Sequence, residues 1–216
     1  MERSIQFGGF DTWIHWKLIL TEKRFAPPEI KTNYVEIDGA DGEVDLTEAL
    51  AARPTYRSRL FFASFITDEG SWEEREKLLS DLVCKLHGRK MKIIDPDDTA
   101  RYIYGRVSVK TAQNYPAYAS ISIEAVCDPW RYDSEETVKT FSAGSYQEIA
   151  LYSSDVATLC PDITVTGTVT FTCNGVTTTA SDGTYKIATF KLFEGENIIG
   201  LSGSGTLTLT YRRATL

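Results

Sequence analysis

One segment of this sequence alternates so regularly that it leaves the backbone few choices. Its apolar residues share one parity: Ile163, Val165, Val169, Phe171 and Cys173. The even positions between 164 and 172 are all threonine. Side chains of a strand point to opposite faces in turn, so this pattern predicts a strand with one buried face. Asn174-Gly175 follows at once and predicts a tight hairpin turn.

The rest of the C-terminal part repeats this chemistry. Residues 136–216 contain 17 threonines but only five basic and seven acidic residues. Further strands are predicted at 185–193 and around Leu207, Leu209 and Tyr211, with turns at 181–183 and 203–205. Short strands separated by turns indicate a small β-sandwich. The composition changes near Pro129, and we therefore predict two domains, 1–135 and 136–216.

The N-terminal part is also predominantly β in its patterning. Alternation places Ile14, Trp16, Leu18 and Leu20 on one face of a predicted strand, and a longer alternating run covers 117–125. Residues 60–66 are apolar on both faces, as in a central strand or one covered by a helix. Turn residues occupy 38–42 and 95–98.

A single helix is predicted in this part. Ser71 and Glu74 have the spacing of a capping box. The apolar residues that follow have helical spacing until Gly88 provides a stop: Trp72, Leu79, Leu82, Val83 and Leu86. A helix over 72–87 is long enough to cover one face of a small sheet.

Charge and hydropathy exclude several classes of protein. The net charge of −7 argues against nucleic-acid binding, which relies on Lys and Arg. No run approaches the roughly 18 apolar residues of a membrane-spanning helix, and the N-terminal residues lack the apolar region of a secretory signal. We therefore expect a protein made in the cytoplasm, with no membrane partner and with free thiols at Cys84, Cys127, Cys160 and Cys173.

Catalytic chemistry finds little support, and we predict a protein that is not an enzyme and has no cofactor or metal. His15 and His87 are the only histidines. We interpret His15 as a residue on the polar face of a strand, and Cys84 with His87 as a core cysteine beside a helix-end histidine. The acidic stretch 38–45 lacks the EF-hand pattern and is interpreted as a solvated turn, with a surface ion site as the lesser alternative. Glycosidase-type carboxylate pairs stay open, because 30 acidic residues always offer pairs.

Sugar binding is a further alternative for the C-terminal part. Sugar sites stack an aromatic ring against the ligand beside polar groups. Tyr146 and Tyr185 are the candidate contacts, although such tyrosines are more often half-buried strand aromatics.

Four motifs in order give the N-terminal part a resemblance to the siphophage distal tail protein family. They lie at 34–50, 56–62, 82–94 and 102–109, and the ending at 203–213 is similar to that of many members. The resemblance implies a structural hub of a phage or prophage tail tip, located in the virion and assembled in the bacterial cytoplasm. It implies a ring, typically of six subunits, that joins the tail tube protein to tail-tip or baseplate proteins involved in host adhesion.

The resemblance also implies an architecture. The N-terminal domain would form the ring from a β-sandwich, one helix and a hairpin arm, and the C-terminal domain would be a galectin-like β-sandwich. For the contacts between subunits we select Arg57, Arg59 and Arg106, because arginines beside apolar strands can reach a neighbour's carboxylates. They are at least as well interpreted as solvated charges. The alternative function is a carbohydrate-binding module for host adhesion.

Overall fold

The computed structural model describes residues 3–39, 41–51, 53–153, 155 and 157–216. The chain forms two compact units, Met1–Trp130 with Leu216, and Arg131–Thr215. Their boundary falls inside one long strand. The first unit contains two helices and nine strands among its described residues: β1 (Gln6–Phe7), β2 (Phe10–Asp11), α1 (Thr12–Trp16), β3 (Ile19–Phe25), β4 (Tyr34–Glu36), β5 (Glu43–Asp45), β6 (Arg59–Thr67), α2 (Trp72–Leu86), β7 (Lys90–Asp95), β8 (Asp98–Asn114) and β9 (Ala119–Asp133).

The second unit is all β in the part of the chain that the structure describes. Its strands are β10 (Thr137–Ala143), β11 (Gln147–Ser153), β12 (Asp162–Cys173), β13 (Val176–Ala180), β14 (Gly183–Lys186), β15 (Gly195–Tyr211) and β16 (Ala214–Thr215). The last of these pairs with Arg131 and Tyr132, the part of β9 that belongs to this second unit. The predicted mainly β class is therefore confirmed, with antiparallel sheets that curl.

One sheet and one helix enclose the core of the first unit. The strand order is β2-β1-β7-β8-β9-β6-β3. Buried residues from β6, β9 and α2 meet on one face of this sheet: Phe61, Ala63, Phe65, Ile121, Ile123, Leu79, Leu82 and Leu86. The apolar run 60–66 lies in β6, which is internal to the sheet as predicted. Its other face is partly open, since Leu60 is 56% exposed.

Helix α2 begins where the sequence predicts and ends at Leu86, one residue before the predicted end. The Ser71 hydroxyl accepts a hydrogen bond from the Glu74 backbone N–H, and the Glu74 carboxylate accepts one from the Ser71 N–H. This capping box satisfies two backbone donors and also lowers the pKa of Glu74. At the other end, His87 is the C-cap residue, and Gly88 has φ +77°. Helix-end His87 is confirmed, whereas Cys84 is exposed and the prediction of a core cysteine is wrong.

The strand predicted through Ile14 and Leu20 is wrong in its first half. Residues 12–16 form α1, because the Asp11 carboxylate accepts hydrogen bonds from the backbone of Trp13 and Ile14. Lys17 then adopts φ +50° and ends the helix, and β3 begins at Ile19. Ile14 is exposed as a result, and His15 lies on a helix. A local side-chain cap has overridden the alternating pattern here.

The second unit is a single sheet folded on itself. Strand β12 pairs with β15 along its whole length. Strands β10 and β14 flank one half of this pair, while β11 and β13 flank the other. Buried residues of one parity point inward from both halves: Ile163, Val165, Val169, Phe171, Cys173, Ile199, Leu201, Leu207 and Leu209. The alternation of β12 is therefore confirmed, and the two halves pack as a sandwich.

Glycines mark the crease between the two halves. Gly205 pairs with Gly167, and Gly203 pairs with Val169, all on the inner face. A Cβ atom at Gly203 would lie 2.4 Å from the Thr168 carbonyl oxygen, so only glycine fits this approach. The turn predicted at 203–205 is therefore wrong, because these residues lie inside β15. They bend the strand instead of ending it.

Two further predictions for this unit, one of a turn and one of a strand, have different outcomes. Asn174 and Gly175 have φ +50° and +76° and join β12 to β13, so the predicted hairpin is confirmed. The strand predicted at 185–193 stops at Lys186. Beyond it, the Phe190 N–H bonds to the Ile187 carbonyl in a turn.

Candidate functional site

A hairpin arm leaves the first sheet between β3 and β6. Among the described residues, strands β4 and β5 pair only with each other, and Val35 lies opposite Val44. The Asp45 carboxylate accepts the Thr47 N–H, and the Thr47 hydroxyl accepts the Asn33 N–H. Hydrogen bonding from the Thr47 side chain, and then from its backbone, lowers the pKa of Asp45. These side-chain bonds hold the hairpin in shape without the help of a core.

The base of the arm is closed by backbone contacts. Ile30 forms an isolated antiparallel bridge with Tyr56, and the Arg57 N–H donates to the Glu29 carbonyl at 2.8 Å. The Tyr56 ring meets Trp130 edge to face, with ring centroids 5.5 Å apart. The arm therefore has a fixed root.

The arm exposes an unusual amount of apolar surface. Its large hydrophobic residues are between 39% and 101% exposed: Ile30, Tyr34, Val35, Ile37, Val44, Leu46 and Leu50. A two-stranded hairpin is marginally stable alone. Clustered apolar exposure on a folded protein indicates a binding surface. We call residues 30–50 the apolar arm.

The acidic stretch lies at the tip of this arm. Gly39 and Gly42 have φ +84° and +79° in the predicted turn, while Ala40 lies outside the described residues. Within the ranges that the structure describes, no three His, Cys, Asp or Glu side chains gather as metal ligands would. The arm therefore presents apolar side chains behind an acidic tip.

The three selected arginines have different surroundings. Arg57 is exposed at the arm's root, with its Nε 4.0 Å from the Glu29 carboxylate. Arg106 is exposed and its Nη1 donates to the Gly88 carbonyl at 2.6 Å. Arg59 is only 4% exposed; its guanidinium lies over the Phe25 ring and donates to the Pro129 carbonyl at 3.1 Å. The Arg59 side chain is therefore buried within its own chain, and of these three arginines only Arg57 and Arg106 are exposed.

The two selected tyrosines do not form one site. Tyr146 precedes β11, and its hydroxyl donates to the Glu148 carboxylate at 2.9 Å, which raises the pKa of Tyr146. Tyr185 lies on β14, half-buried, and its hydroxyl donates to the Ser181 carbonyl. Strands β11 and β14 flank opposite sides of the β15–β12 pair. The structure thus separates the two rings.

A cleft of about 700 Å³ lies beside α1. Its lining combines Trp13, Ile14, Ile94 and Pro96 with a few polar side chains. The Asp11 carboxylate in this lining is already engaged, by the α1 backbone and by the Ser4 hydroxyl at 2.8 Å. The Nδ1 atom of nearby His15 lies 3.0 Å from both the backbone nitrogen and the carbonyl oxygen of Asp11. These bonds identify Asp11 as the N-cap residue of α1.

The fold of the whole chain matches that of a solved phage protein. This is the SPP1 Dit (gp 19.1) protein, whose structure is described as a paradigm of the hub adsorption apparatus in phages that infect Gram-positive bacteria. The match has a TM-score of 0.70 and covers 98% of this chain and 99% of that chain, at 14% sequence identity. The chain has the Dit fold. The structural neighbour thus agrees with the resemblance seen in the sequence.

Other comparisons add no further likeness. No protein-family model and no curated protein matches the sequence. Among the described residues, no helix is long and apolar enough to cross a membrane.

Sequence reasoning missed one surface feature. Arg75 is buried and binds the tip of the β8–β9 hairpin, where Tyr115 and Tyr118 stack with ring centroids 4.9 Å apart. The Tyr115-Pro116 turn pattern was a usable signal for the hairpin tip. Nothing in the spacing of Arg75 indicated that it would bind there.

Proposed function

We propose that this protein is a structural hub of a phage or prophage tail tip. In this role, six copies form a ring that joins the tail tube protein to the tail-tip or tail-associated proteins. The protein is assembled in the bacterial cytoplasm, becomes part of the virion, and has no catalytic role. The N-terminal domain forms the ring, and the C-terminal galectin-like domain lies outside it.

The observation that carries this proposal is the Dit fold over nearly the full chain. The apolar arm supports it independently, since its exposed side chains need a partner outside the protomer. A ring of repeated heterologous contacts supplies such a partner to every copy. Arg57, at the arm's root, and Arg106 are both exposed, and they join these contacts in the proposed ring. The carbohydrate-binding alternative lacks comparable support, because Tyr146 and Tyr185 lie apart.

The test is to locate the protein in particles. Antibodies raised against it should label one end of the tails in particles from the phage or prophage that encodes it. A mutant lacking the protein should produce tails that fail to mature, and the wild-type gene should restore them. Particles that carry no label anywhere, with normal tails in the mutant, would overturn the proposal.

The oligomeric state provides a second measurement. Light scattering on a size-exclusion column, over a range of concentrations, should reveal a species of six times 24.2 kDa. Addition of the tail-tip partner should favour this species, because the ring is stabilised by what it binds.

A further inference from the structure

Three aromatic side chains at one end of α2 are partly exposed. Trp72, Tyr115 and Tyr118 are 48%, 38% and 40% exposed. Tyr115 and Tyr118 stack at an interplanar angle of 24°. The Asn114 amide ties the hairpin to the helix by donating to the Trp72 carbonyl at 2.9 Å. We call these three aromatic residues the aromatic end.

Arg75 makes the aromatic end rigid. Its guanidinium donates to the Asn114 side chain at 2.9 Å and to the carbonyls of Gly70, Tyr115 and Pro116 at 2.6–3.1 Å. A buried arginine with four such bonds fixes the hairpin tip against the helix. Rigid, exposed aromatic side chains lose little entropy on binding and are typical of interface anchors.

Several carboxylates lie close to Trp72 in the sequence, between residues 68 and 76. Asp68, Glu69, Glu73 and Glu76 are all exposed. None of them is ion-paired to a cation in the described part of the chain, where the pairs formed by α2 join only Lys85 and Asp81. A partner with positive charge would therefore gain both cation–π and carboxylate contacts here.

The opposite end of α2 has the complementary chemistry. Arg89, Lys92 and Arg106 are exposed there, and none pairs with a carboxylate among the described residues. Arg89 and Arg106 donate to the backbone carbonyls of Cys84 and Gly88, while Lys92 lies over the Tyr102 ring. Lys90 lies directly opposite Arg106 on the neighbouring strand. Lys90 pairs with the Asp128 carboxylate at 3.4 Å, so the charge left for a partner carboxylate is that of Arg106. We call Arg89, Lys92 and Arg106 the basic end.

The two ends cannot meet within one protomer. Helix α2 has 15 residues and separates them by about 22 Å. Strand β8 runs beside it in the reverse direction, from Arg106 at the basic end to Asn114 at the aromatic end. They can meet only between two copies, and of the arrangements that allow this, a head-to-tail contact is the one that builds a ring.

We infer that the aromatic end of one copy binds the basic end of the next. The guanidinium groups of Arg89 and Arg106 pack on the aromatic rings and pair with Glu73 and Glu76. The contact is heterologous, and such contacts generate rings when the rotation closes. This inference rests on the proposed ring and goes beyond it by naming the two surfaces that join.

Two complementary variants test it. Glu73→Gln with Glu76→Gln removes charge from one surface, and Arg89→Gln with Arg106→Gln removes it from the other. Each variant alone should associate only at concentrations at least about tenfold above those of the wild-type protein. An equimolar mixture retains one intact contact and should form a dimer of twice 24.2 kDa by sedimentation velocity. High salt should dissociate that dimer.

The matched control variants carry their substitutions in the second unit. Glu194→Gln with Glu196→Gln, and Lys139→Gln with Lys191→Gln, make the same changes in charge at exposed sites and should leave association unchanged. Circular dichroism checks that all variants fold.

The inference is overturned if both test variants associate like the wild-type protein, or if their mixture associates no better than either alone. A wild-type protein that stays monomeric at every concentration overturns it as well. In each case the antibody labelling of tails decides the proposed function separately.

Discussion

Gly205 and Thr166 approach each other so closely that a Cβ atom on Gly205 would lie 1.7 Å from the Thr166 carbonyl oxygen. Gly205 also has φ +140°, which side chains rarely permit. The contact lies at the crease where the sheet of the second unit folds on itself. The sandwich therefore depends on the absence of one side chain.

Gly205→Ala should destabilise the second unit by more than about 3 kcal/mol, because strands β12 and β15 must separate to admit the methyl group. Unfolding followed by far-UV circular dichroism measures this loss. Gly144→Ala is the matched control, since nothing lies within 4 Å of its Cβ position. Equal stabilities of the two variants would show that the crease does not constrain the fold.

Arg75→Met should cost about 3 kcal/mol, because four buried hydrogen bonds from the guanidinium are lost together. Tryptophan fluorescence can follow this unfolding, as all four tryptophans lie at or before Trp130. Hydrogen exchange at 114–118 should also accelerate. Arg24→Met, at a 69% exposed side chain, should change stability by less than about 1 kcal/mol. Unchanged exchange at the hairpin would contradict the proposed role of Arg75.

Trp16→Phe should raise the pKa of Asp81 toward its usual value. The indole N–H donates to the Asp81 carboxylate at 2.9 Å and, with Lys85, favours the charged form. The folded pKa is lowered, so this stabilisation is present above the unfolded pKa and is lost as pH falls through the folded one. The stability difference between wild type and variant should therefore shrink in acid. Carboxyl NMR titration measures the pKa, and Trp72→Phe should leave it unchanged.

Thiol labelling at neutral pH should distinguish the cysteines. Burial raises the pKa of Cys127 to about 12, so almost none of it is thiolate, whereas Cys84 is exposed on α2. We expect Cys84 to react with a maleimide in the folded protein and Cys127 only after unfolding. Peptide mapping of the labelled protein checks the assignment, with Cys84→Ser as the control. Rapid labelling of Cys127 would show that its strand opens readily.

Leu50→Ser should leave the protomer's stability within about 0.5 kcal/mol of the wild-type value, because the side chain is fully exposed. If the apolar arm binds a neighbouring copy, the same change should weaken ring formation. Light scattering measures ring formation, and thermal unfolding measures the stability of the protomer. Leu60→Ser, at an exposed site outside the arm, is a comparison variant. Assembly unaffected by Leu50→Ser and by Val35→Ser would remove the arm from the interface.

The sequence alone determined the features that depend on neighbours along the chain. The capping box of α2, the Asn174-Gly175 hairpin and the inner face of β12 were all predictable, because their hydrogen bonds and periodicity are local. The order of four motifs also indicated the distal tail resemblance with which the Dit fold agrees.

The tertiary structure decided what depends on residues far apart in the chain. Arg59 turned inward because Phe25 and Pro129 lie beside it, and Gly203-Ser204-Gly205 became a crease because β12 lies against it. Tyr146 and Tyr185 were separated by the strand order. The ends of α2 acquired complementary surfaces only when β8 brought Tyr115 to one and Arg106 to the other. Such outcomes rest on long-range pairing, which no local pattern encodes.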